Sequence, residues 1–304
     1  SRLDMDAYER HVTRLAYKQN RPFVIVGAGF AGARAAQILS NYGYDVLVLD
    51  KGTIPGGRSS TKRRETGAYN HGCDALDGEI YADLSINEML EKTDVRCDTR
   101  ITSIQPSPEY VLLEDEKGFT WEAEAVILTC PIPQSHALMP DRAPADWEEH
   151  PYRSNWTLIC TGSSPVTNDL LDYESDSIEL MRNGIDDEES NVLIVQMANE
   201  WSKEHLEKSR DEVTELILQE LQNTDHDWLE SAAFHAHRWR FSRPVSQPHP
   251  LNENRITFAG DAWAEPIGTV QAALKSAEQA ALELIWKCHY AKKQEPISMQ
   301  TTLF

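Results

Sequence analysis

No apolar run in this sequence approaches the roughly 20 residues that a membrane-spanning helix needs, so no span is expected. Nor is there a Cys-x-x-Cys pair. The five cysteines, Cys73, Cys97, Cys130, Cys160 and Cys288, are odd in number and scattered. That pattern argues against a disulfide scaffold or a zinc site and leads to an expectation of free thiols in a reducing cytoplasm. Ser1-Arg-Leu-Asp-Met-Asp lacks the charged-then-apolar order of a secretion signal, in keeping with that expectation. Basic side chains are scarce, 29 Lys and Arg against 49 Asp and Glu, for a net charge of −20. Nucleic acid and anionic membrane are therefore excluded as partners, although a local Arg cluster can still hold a small anion. There are no internal repeats and no low-complexity tracts. What is present is a 304-residue chain, 40% hydrophobic and 26% charged, long enough for two cores or one elaborated core.

The stretch Val24-Ile-Val-Gly27-Ala-Gly29-Phe30-Ala31-Gly32 reads as strand, tight turn and helix. Gly27 allows the turn, Gly29 lets backbone amides approach a pyrophosphate, and Gly32 lets the helix sit close to the strand. The N–H groups and dipole of the helix start then favour phosphate. The helix is expected to end near Tyr42-Gly43, where glycine supplies a left-handed cap. Asp50 closes the next short strand, Val46-Leu-Val-Leu, where a carboxylate can take ribose hydroxyls. The glycines alone do not say which dinucleotide.

Gly56-Gly57-Arg58 follows directly, leading into Ser59-Ser-Thr61-Lys-Arg63-Arg64. A second glycine pair and a guanidinium suit a tightly held FAD, whose pyrophosphate is gripped from two sides. Near the other end, Arg255-Ile-Thr-Phe-Ala-Gly260-Asp261 is a last strand returning to the nucleotide domain, and Gly268-Thr269-Val270 opens an Ala-rich helix. Asp261 is placed to meet the ribityl or diphosphate region. The amides of Gly268 to Val270 aim a positive dipole at the flavin N1–C2 edge, which gains negative charge on reduction.

Between these ends the pattern changes twice. Residues 1–20 read as a short polar helix packed on the nucleotide domain, and 84–92 as a short helix. Thr99–Ile104, Tyr110–Glu114 and Phe119–Ala123 form a hairpin meander leading to the doubly apolar strand Ala125-Val-Ile-Leu-Thr129. Pro131-Ile-Pro133 breaks the chain and marks a domain crossing. Trp156–Thr161 and Asn191–Met197 are strands of a second sheet, Asp169 to Glu189 is an acidic loop or edge, and Glu204–Leu221 is one amphipathic helix. In Phe234-His235-Ala-His237-Arg238-Trp239-Arg240-Phe241 the odd-numbered residues share one strand face, with Arg238 and Arg240 on the other. That face is either a substrate wall or ordinary core. His-x-His offers no third ligand, so no metal is expected. His71, after Gly67-Ala-Tyr-Asn, either lines a reaction chamber or is a hydrogen-bonded turn histidine.

Taken together, Gly27-x-Gly29-x-x-Gly32, Asp50-Lys51-Gly52, Gly57-Arg58-x-Ser60-Thr61-x-Arg63-Arg64, His71-Gly72, Glu200-Trp201-Ser202-x-Glu204-His205-Leu206, His237-Arg238-Trp239-Arg240-Phe241 and Gly260-Asp261 resemble the FAD-dependent amine oxidase-like superfamily. The closer resemblance is to its renalase-like branch, and it spans nearly the whole chain after residue 20. It implies non-covalent FAD, a dihydronicotinamide dinucleotide as the small-molecule substrate, and O2 as electron acceptor, yielding hydrogen peroxide. It also implies an α/β fold: a Rossmann-type FAD-binding domain split between both chain ends, with an inserted α+β substrate domain. The expected boundaries are an N-terminal extension at 1–20, FAD-binding segments at 21–72, 84–136 and 250–304, and substrate-domain segments at 73–83 and 137–249.

The substrate domain is short. Only about a dozen residues separate Gly72 from the helix at Leu84, and Cys73-Asp-Ala-Leu replaces the Ala-Gln and aromatics usual after His-Gly in that branch. Three readings follow: a renalase-like oxidase, an oxidase or desaturase of another amine or metabolite, and a non-catalytic FAD-binding interaction protein. Expected cofactor contacts are Gly27, Gly29, Phe30, Ala31, Gly32, Asp50, Lys51, Gly57, Arg58, Thr61, Ile101, Thr129, Gly260, Asp261, Gly268, Thr269 and Val270. His71, His237, Trp239 and Arg240 are the expected catalytic set.

Overall fold

The computed structural model describes residues 21–56, 61–64, 67–70, 86–184 and 190–290. Strands β1 (Phe23–Val26) and β2 (Val46–Leu49) are buried at every position, as are the residues of β9 (Ala125–Leu128). Such uniformly apolar strands need cover on both faces, which a parallel sheet supplies. They lie in a five-stranded parallel sheet, order β14 (Ile256–Phe258), β9, β1, β2, β5 (Asp94–Arg96).

Alternate residues then go to opposite sides. Phe23, Ile25, Val46, Val48 and Ile127 pack under helices α1 (Phe30–Asn41) and α8 (Val270–Ile285). Val24, Val26, Leu47, Leu49 and Leu128 pack on the antiparallel meander β6 (Ile101–Pro106), β7 (Val111–Asp115) and β8 (Thr120–Ala123). The result is three layers: helices, parallel sheet, meander. Early and late segments of the described residues contribute to them, β1 and α1 from one side and β14 and α8 from the other. Helix α1 stops at Asn41, and Gly43 follows at φ +88°. A two-stranded ribbon, β3 (Thr61–Arg64) with β4 (Gly67–Asn70), and one helical turn, α2 (Ile86–Met89), stand between β2 and β5.

Two local expectations are corrected. Pro131 and Pro133 do not simply break the chain. Proline is tolerated in a first helical turn, where the missing N–H has no partner to lose, and helix α3 (Ile132–Leu138) starts there. The chain crosses to the second sheet later, at Tyr152. Nor is Glu204–Leu221 one helix. Ser209 and Glu212 form a reciprocal capping box. Helix α5 (Asn199–Glu204) therefore ends before α6 (Arg210–Glu220) begins, with Val213 and Ile217 buried on the inner side of α6.

The second sheet is antiparallel, with order β11 (Ile178–Asn183), β12 (Val192–Met197), β10 (Tyr152–Thr161), β13 (Ala233–Pro244). Trp156, Leu158 and Cys160 of β10 meet Leu193, Val195 and Ala236 on one face. That face is covered by α4 (Asn168–Leu171), α5, α6 and α7 (His226–Glu230). The opposite face carries Asn155, Thr157 and Ile159 beside Ile194 and Gln196, and beside His235, His237 and Trp239. Among the described residues no helix is long and apolar enough to cross a membrane.

Candidate active site

Ligands of open α/β sheets bind at the carboxyl ends of the strands. Four loops meet there in this protein. Gly27, at φ +108°, donates from its N–H to Leu49 O at 2.8 Å and so ties the turn to β2. A Cβ on Gly27 would stand 2.1 Å from Thr129 Oγ1, which itself donates to Val26 O at 2.7 Å. Thr129 therefore clamps the turn through its side chain. Among the described residues, a Cβ on Gly29 would meet nothing nearer than Gly56 O at 3.9 Å, which leaves room there for a close-approaching group. Helix α1 starts at Gly29 with no side-chain cap and no acid in its first turn, which leaves its N-terminal amides for an anion.

Asp50 sits at the end of β2, accepting from Ala28 N on Oδ1 and from Gly52 N on Oδ2, both at 2.9 Å. Gly56 N donates to Ala28 O at 2.9 Å, laying the second glycine segment against the first. Lys51 and Asp50 both act electrostatically on Cys130, just beyond β9, whose thiol burial pushes up to about 11. Cys97 is likewise raised, by burial and then by Asp50 and Asp98. Neither thiol is a thiolate at neutral pH.

The fourth loop follows β14. Gly260 N donates to Ser276 Oγ at 2.9 Å, Gly268 N donates to Asp261 O at 2.9 Å, and Asp261 is buried. Thr269 caps α8, accepting from Ala272 N at 3.0 Å and donating to Pro266 O at 2.7 Å. Its hydroxyl is thus occupied, while the Val270 and Gln271 amides at the helix start have no intrahelical acceptor. The residues fit FAD: uncapped amides for a pyrophosphate, a carboxylate at the ribose position, and a second helix N-terminus facing the same crevice. Ile101 opens β6 and is buried in the core beneath the meander.

An aromatic cluster joins the second sheet to this crevice. Trp147 stands edge-on to Phe258 at 5.1 Å and to Trp263 at 5.6 Å, and Tyr152 stands edge-on to Phe241 at 5.3 Å. Tyr152 Oη accepts from Ile132 N at 3.0 Å. A Cβ on Gly268 would lie 3.6 Å from Arg243 Cβ, so the end of β13 runs beside the loop that precedes α8. Sequence reasoning missed this bolt, whose signal was a Trp or Phe at each chain crossing.

On β13 the structure keeps His237 and Trp239 together, with ring centroids 4.3 Å apart, on the face away from the helices. It separates Arg240 from them. Arg240 donates to Glu207 at 2.7 and 3.3 Å on the helix-covered side, because neighbouring strand residues point oppositely. Arg238 is on that side too, over the Trp156 ring at 5.4 Å and donating to Leu206 O at 2.7 Å. Trp156 Nε1 donates to His205 O at 3.0 Å, and Ser202 Oγ accepts from Trp156 N at 2.9 Å. The Trp-Ser-x-x-His-Leu and His-Arg-Trp-Arg blocks thus meet as a structural clamp. Asn155 and Thr157, which share the face of His237, escaped the sequence reading. His71, Gly57 and Arg58 lie outside the described residues, and of Thr61 only the backbone is described.

The hydrogen bond from Arg240, with its charge, holds the Glu207 carboxyl below the usual range. A depressed carboxylate contributes stability that is present above its unfolded value and lost as pH falls through the folded one. Melting curves of Glu207→Gln and the unsubstituted protein are expected to differ slightly at neutral pH and to converge in acid. A gap that persists unchanged in acid would contradict the pairing.

Comparison with known proteins agrees with this geometry. A protein from Exiguobacterium sp. 255-15 described as a protoporphyrinogen oxidase superposes with TM-score 0.64 at 13% identity, covering 87% of this chain and 99% of that one. Wild-type putrescine oxidase bound to putrescine superposes with TM-score 0.62 at 12% identity and the same coverage. At such identities these likenesses speak for the fold. Residues 25–92 match the NAD(P)-binding Rossmann-like domain, and residues 70–285 match the flavin containing amine oxidoreductase family. The chain belongs to that family and is an FAD-dependent oxidoreductase of the amine oxidase-like superfamily.

Proposed function

We propose that this protein is a renalase-like oxidase, oxidising a dihydronicotinamide dinucleotide with O2 as the final acceptor. When bound, FAD supplies a hydride acceptor at N5 and passes the electrons to O2. The chain's own part is to bind and orient. The amides at the start of α1 take the pyrophosphate, Asp50 takes the ribose, and the amides of Val270 and Gln271 face the pyrimidine edge. FAD is held non-covalently in this reading.

The observation that carries the substrate reading is the charge state of the wall. Glu179 is the sole carboxylate in the four strands of the second sheet. It already accepts from Arg153 at 2.7 Å, Asn155 at 3.0 Å and Gln196 at 2.9 Å. An ammonium substrate would find no unspent anion on these strands. A neutral ring would find His237 and Trp239. A dihydropyridine that loses hydride becomes an aromatic cation directly, so no strong base is needed.

The experiment is anaerobic mixing of the purified yellow protein with dihydronicotinamide isomers and, separately, with amines. Loss of visible flavin absorbance with the dihydronicotinamides is expected, with colour returning in air, and with all flavin recovered in solution after acid precipitation. Bleaching by amines alone would replace this reading with an amine oxidase. Bleaching by neither would point to a flavoprotein that keeps FAD without turnover.

A further inference from the structure

Helix α8 turns a largely alanine face to the parallel sheet, with Ala273, Ala277 and Ala280 buried in the same core as Ile25 and Ile127. Ser276 interrupts that face and is 2% exposed. Serine is a poorer helix former than alanine, because its hydroxyl competes for backbone groups. Packing alone would favour one more alanine here. What the hydroxyl adds is a hold on Gly260. β14 is the outer strand of the parallel sheet, and Ala259 N still reaches β9, donating to Leu128 O at 2.9 Å. The next amide, Gly260 N, has no strand beyond β14 to meet among the described residues and donates to Ser276 Oγ at 2.9 Å. Ser276 Oγ also stands 2.9 Å from Gly260 O and from Ala273 O, one of which takes its proton.

A second hydroxyl joins the same two elements. Thr257, 3% exposed, donates from Oγ1 to Ala280 O at 3.0 Å. Ser276 and Ala280 are one turn apart on one face of α8. Strand and helix are thus tied at two points about 6 Å apart along the helix axis, which fixes both slide and rotation of one against the other. The two ties border different things. Thr257 lies inside β14, whereas Gly260 leads into Asp261, whose carbonyl accepts from Gly268 N at 2.9 Å. Ala273, at the other side of Ser276, donates to Thr269 O at 3.1 Å in the first turn of α8. Ser276 therefore closes a ring that runs from Gly260 through Asp261 and Gly268 to the helix start and back.

We propose that Ser276 is a positioning residue for the flavin. It holds the Gly260–Asp261 turn and the first turn of α8 at a set spacing, so that both meet one FAD at once. In this role it acts through the Gly260 backbone rather than on the cofactor itself. The proposal rests on FAD lying in the crevice and is independent of the substrate reading.

The test compares Ser276→Ala with Thr257→Val in the FAD-loaded protein. Each removes one buried hydroxyl between β14 and α8, but only the first frees the Gly260 turn. Ser276→Ala is expected to weaken FAD binding about tenfold, the worth of one well-placed hydrogen bond. The return of free-flavin fluorescence on dilution reads that loss. At saturating FAD its visible flavin circular dichroism should also change, because the cofactor sits differently between the two turns. Thr257→Val should melt lower than the unsubstituted protein and keep both the affinity and the spectrum. If Ser276→Ala keeps both as well, Ser276 is a structural staple and the proposal fails. Equal losses in the two variants, or a loss with the flavin spectrum unaltered, would mean general loosening and overturn it equally. If the unsubstituted protein holds no FAD through gel filtration, the cofactor reading itself fails and takes the positioning role with it.

Discussion

Gly32→Ala is expected to lower the melting temperature by about 4–8 °C and to strip FAD from the protein during gel filtration. The added Cβ would stand 1.8 Å from Gly27 O and 2.9 Å from Gly27 C. Both are backbone atoms of a turn pinned to Leu49 O and closed by Thr129, so neither can swing aside. Overpacking costs about 1–3 kcal/mol where neighbours adjust, and a rigid carbonyl belongs at or beyond the top of that range. Alanine recovers about 1 kcal/mol through better helix propensity. The net of about 2 kcal/mol, at 2–4 °C for each kcal/mol, gives the expected shift.

The chain relieves such a clash by lifting α1 from β1, which also moves the helix amides from the pyrophosphate position. Gly43→Ala is the matched control. Its residue sits at φ +88° with nothing within 4 Å of a Cβ, so it pays left-handed strain and leaves the crevice alone. Flavin retention should separate the two even where their melting temperatures are close. Equal retention would remove Gly32 from the cofactor's support.

The nucleotide-binding half was legible because its signals are local. A buried strand, a glycine turn and an Ala-rich helix follow one another between Phe23 and Asn41, and β14 runs into α8 in the same way. Each needs only backbone geometry and nearest neighbours to be read. The family-specific blocks at 200–206 and 237–241 were equally visible, but what they do was not. They hold each other through Arg238, Leu206, Trp156 and His205, a pairing that depends on β10 lying between them.

Strand alternation already placed Arg240 opposite His237, and its bond to Glu207 follows from that. Thr157 could not be found by pattern at all. A threonine in an apolar strand reads as ordinary β filler. Only the register sets it against His237 on one side and Gln196 on the other. The split of the helix after Glu204 was there to be seen in Ser209-x-x-Glu212, but a continuous amphipathic stripe outweighed it.

Asp50→Ala carries the other large expectation, a loss of FAD affinity of about tenfold to a hundredfold. The proposed bonds to the ribose would account for only part of it. In the folded chain the two carboxylate oxygens accept from Ala28 N and Gly52 N, and those amides shape the turn under the pyrophosphate and the loop that leads to Gly56. Removing the carboxylate leaves two part-buried donors unmatched, each worth about 1–3 kcal/mol. Some of that cost falls on stability. The rest falls on binding, because the turn is no longer held in the shape the phosphates need, and 1.4 kcal/mol is tenfold in a dissociation constant.

Asp50→Asn separates the two contributions. Its oxygen can still accept from one of the amides, while its NH2 group opposes the other donor. Stability should then be partly restored, with affinity between those of the unsubstituted protein and Asp50→Ala. Fluorescence quenching of FAD during reconstitution gives the affinities, and melting of the FAD-free proteins gives the stabilities. If Asp50→Ala binds FAD as tightly as the unsubstituted protein, the acid at the end of β2 is a structural staple and the ribose is held elsewhere. If affinity falls while the FAD-free stability stays unchanged, the carboxylate acts on the cofactor alone, and the shared role for Ala28 and Gly52 is wrong.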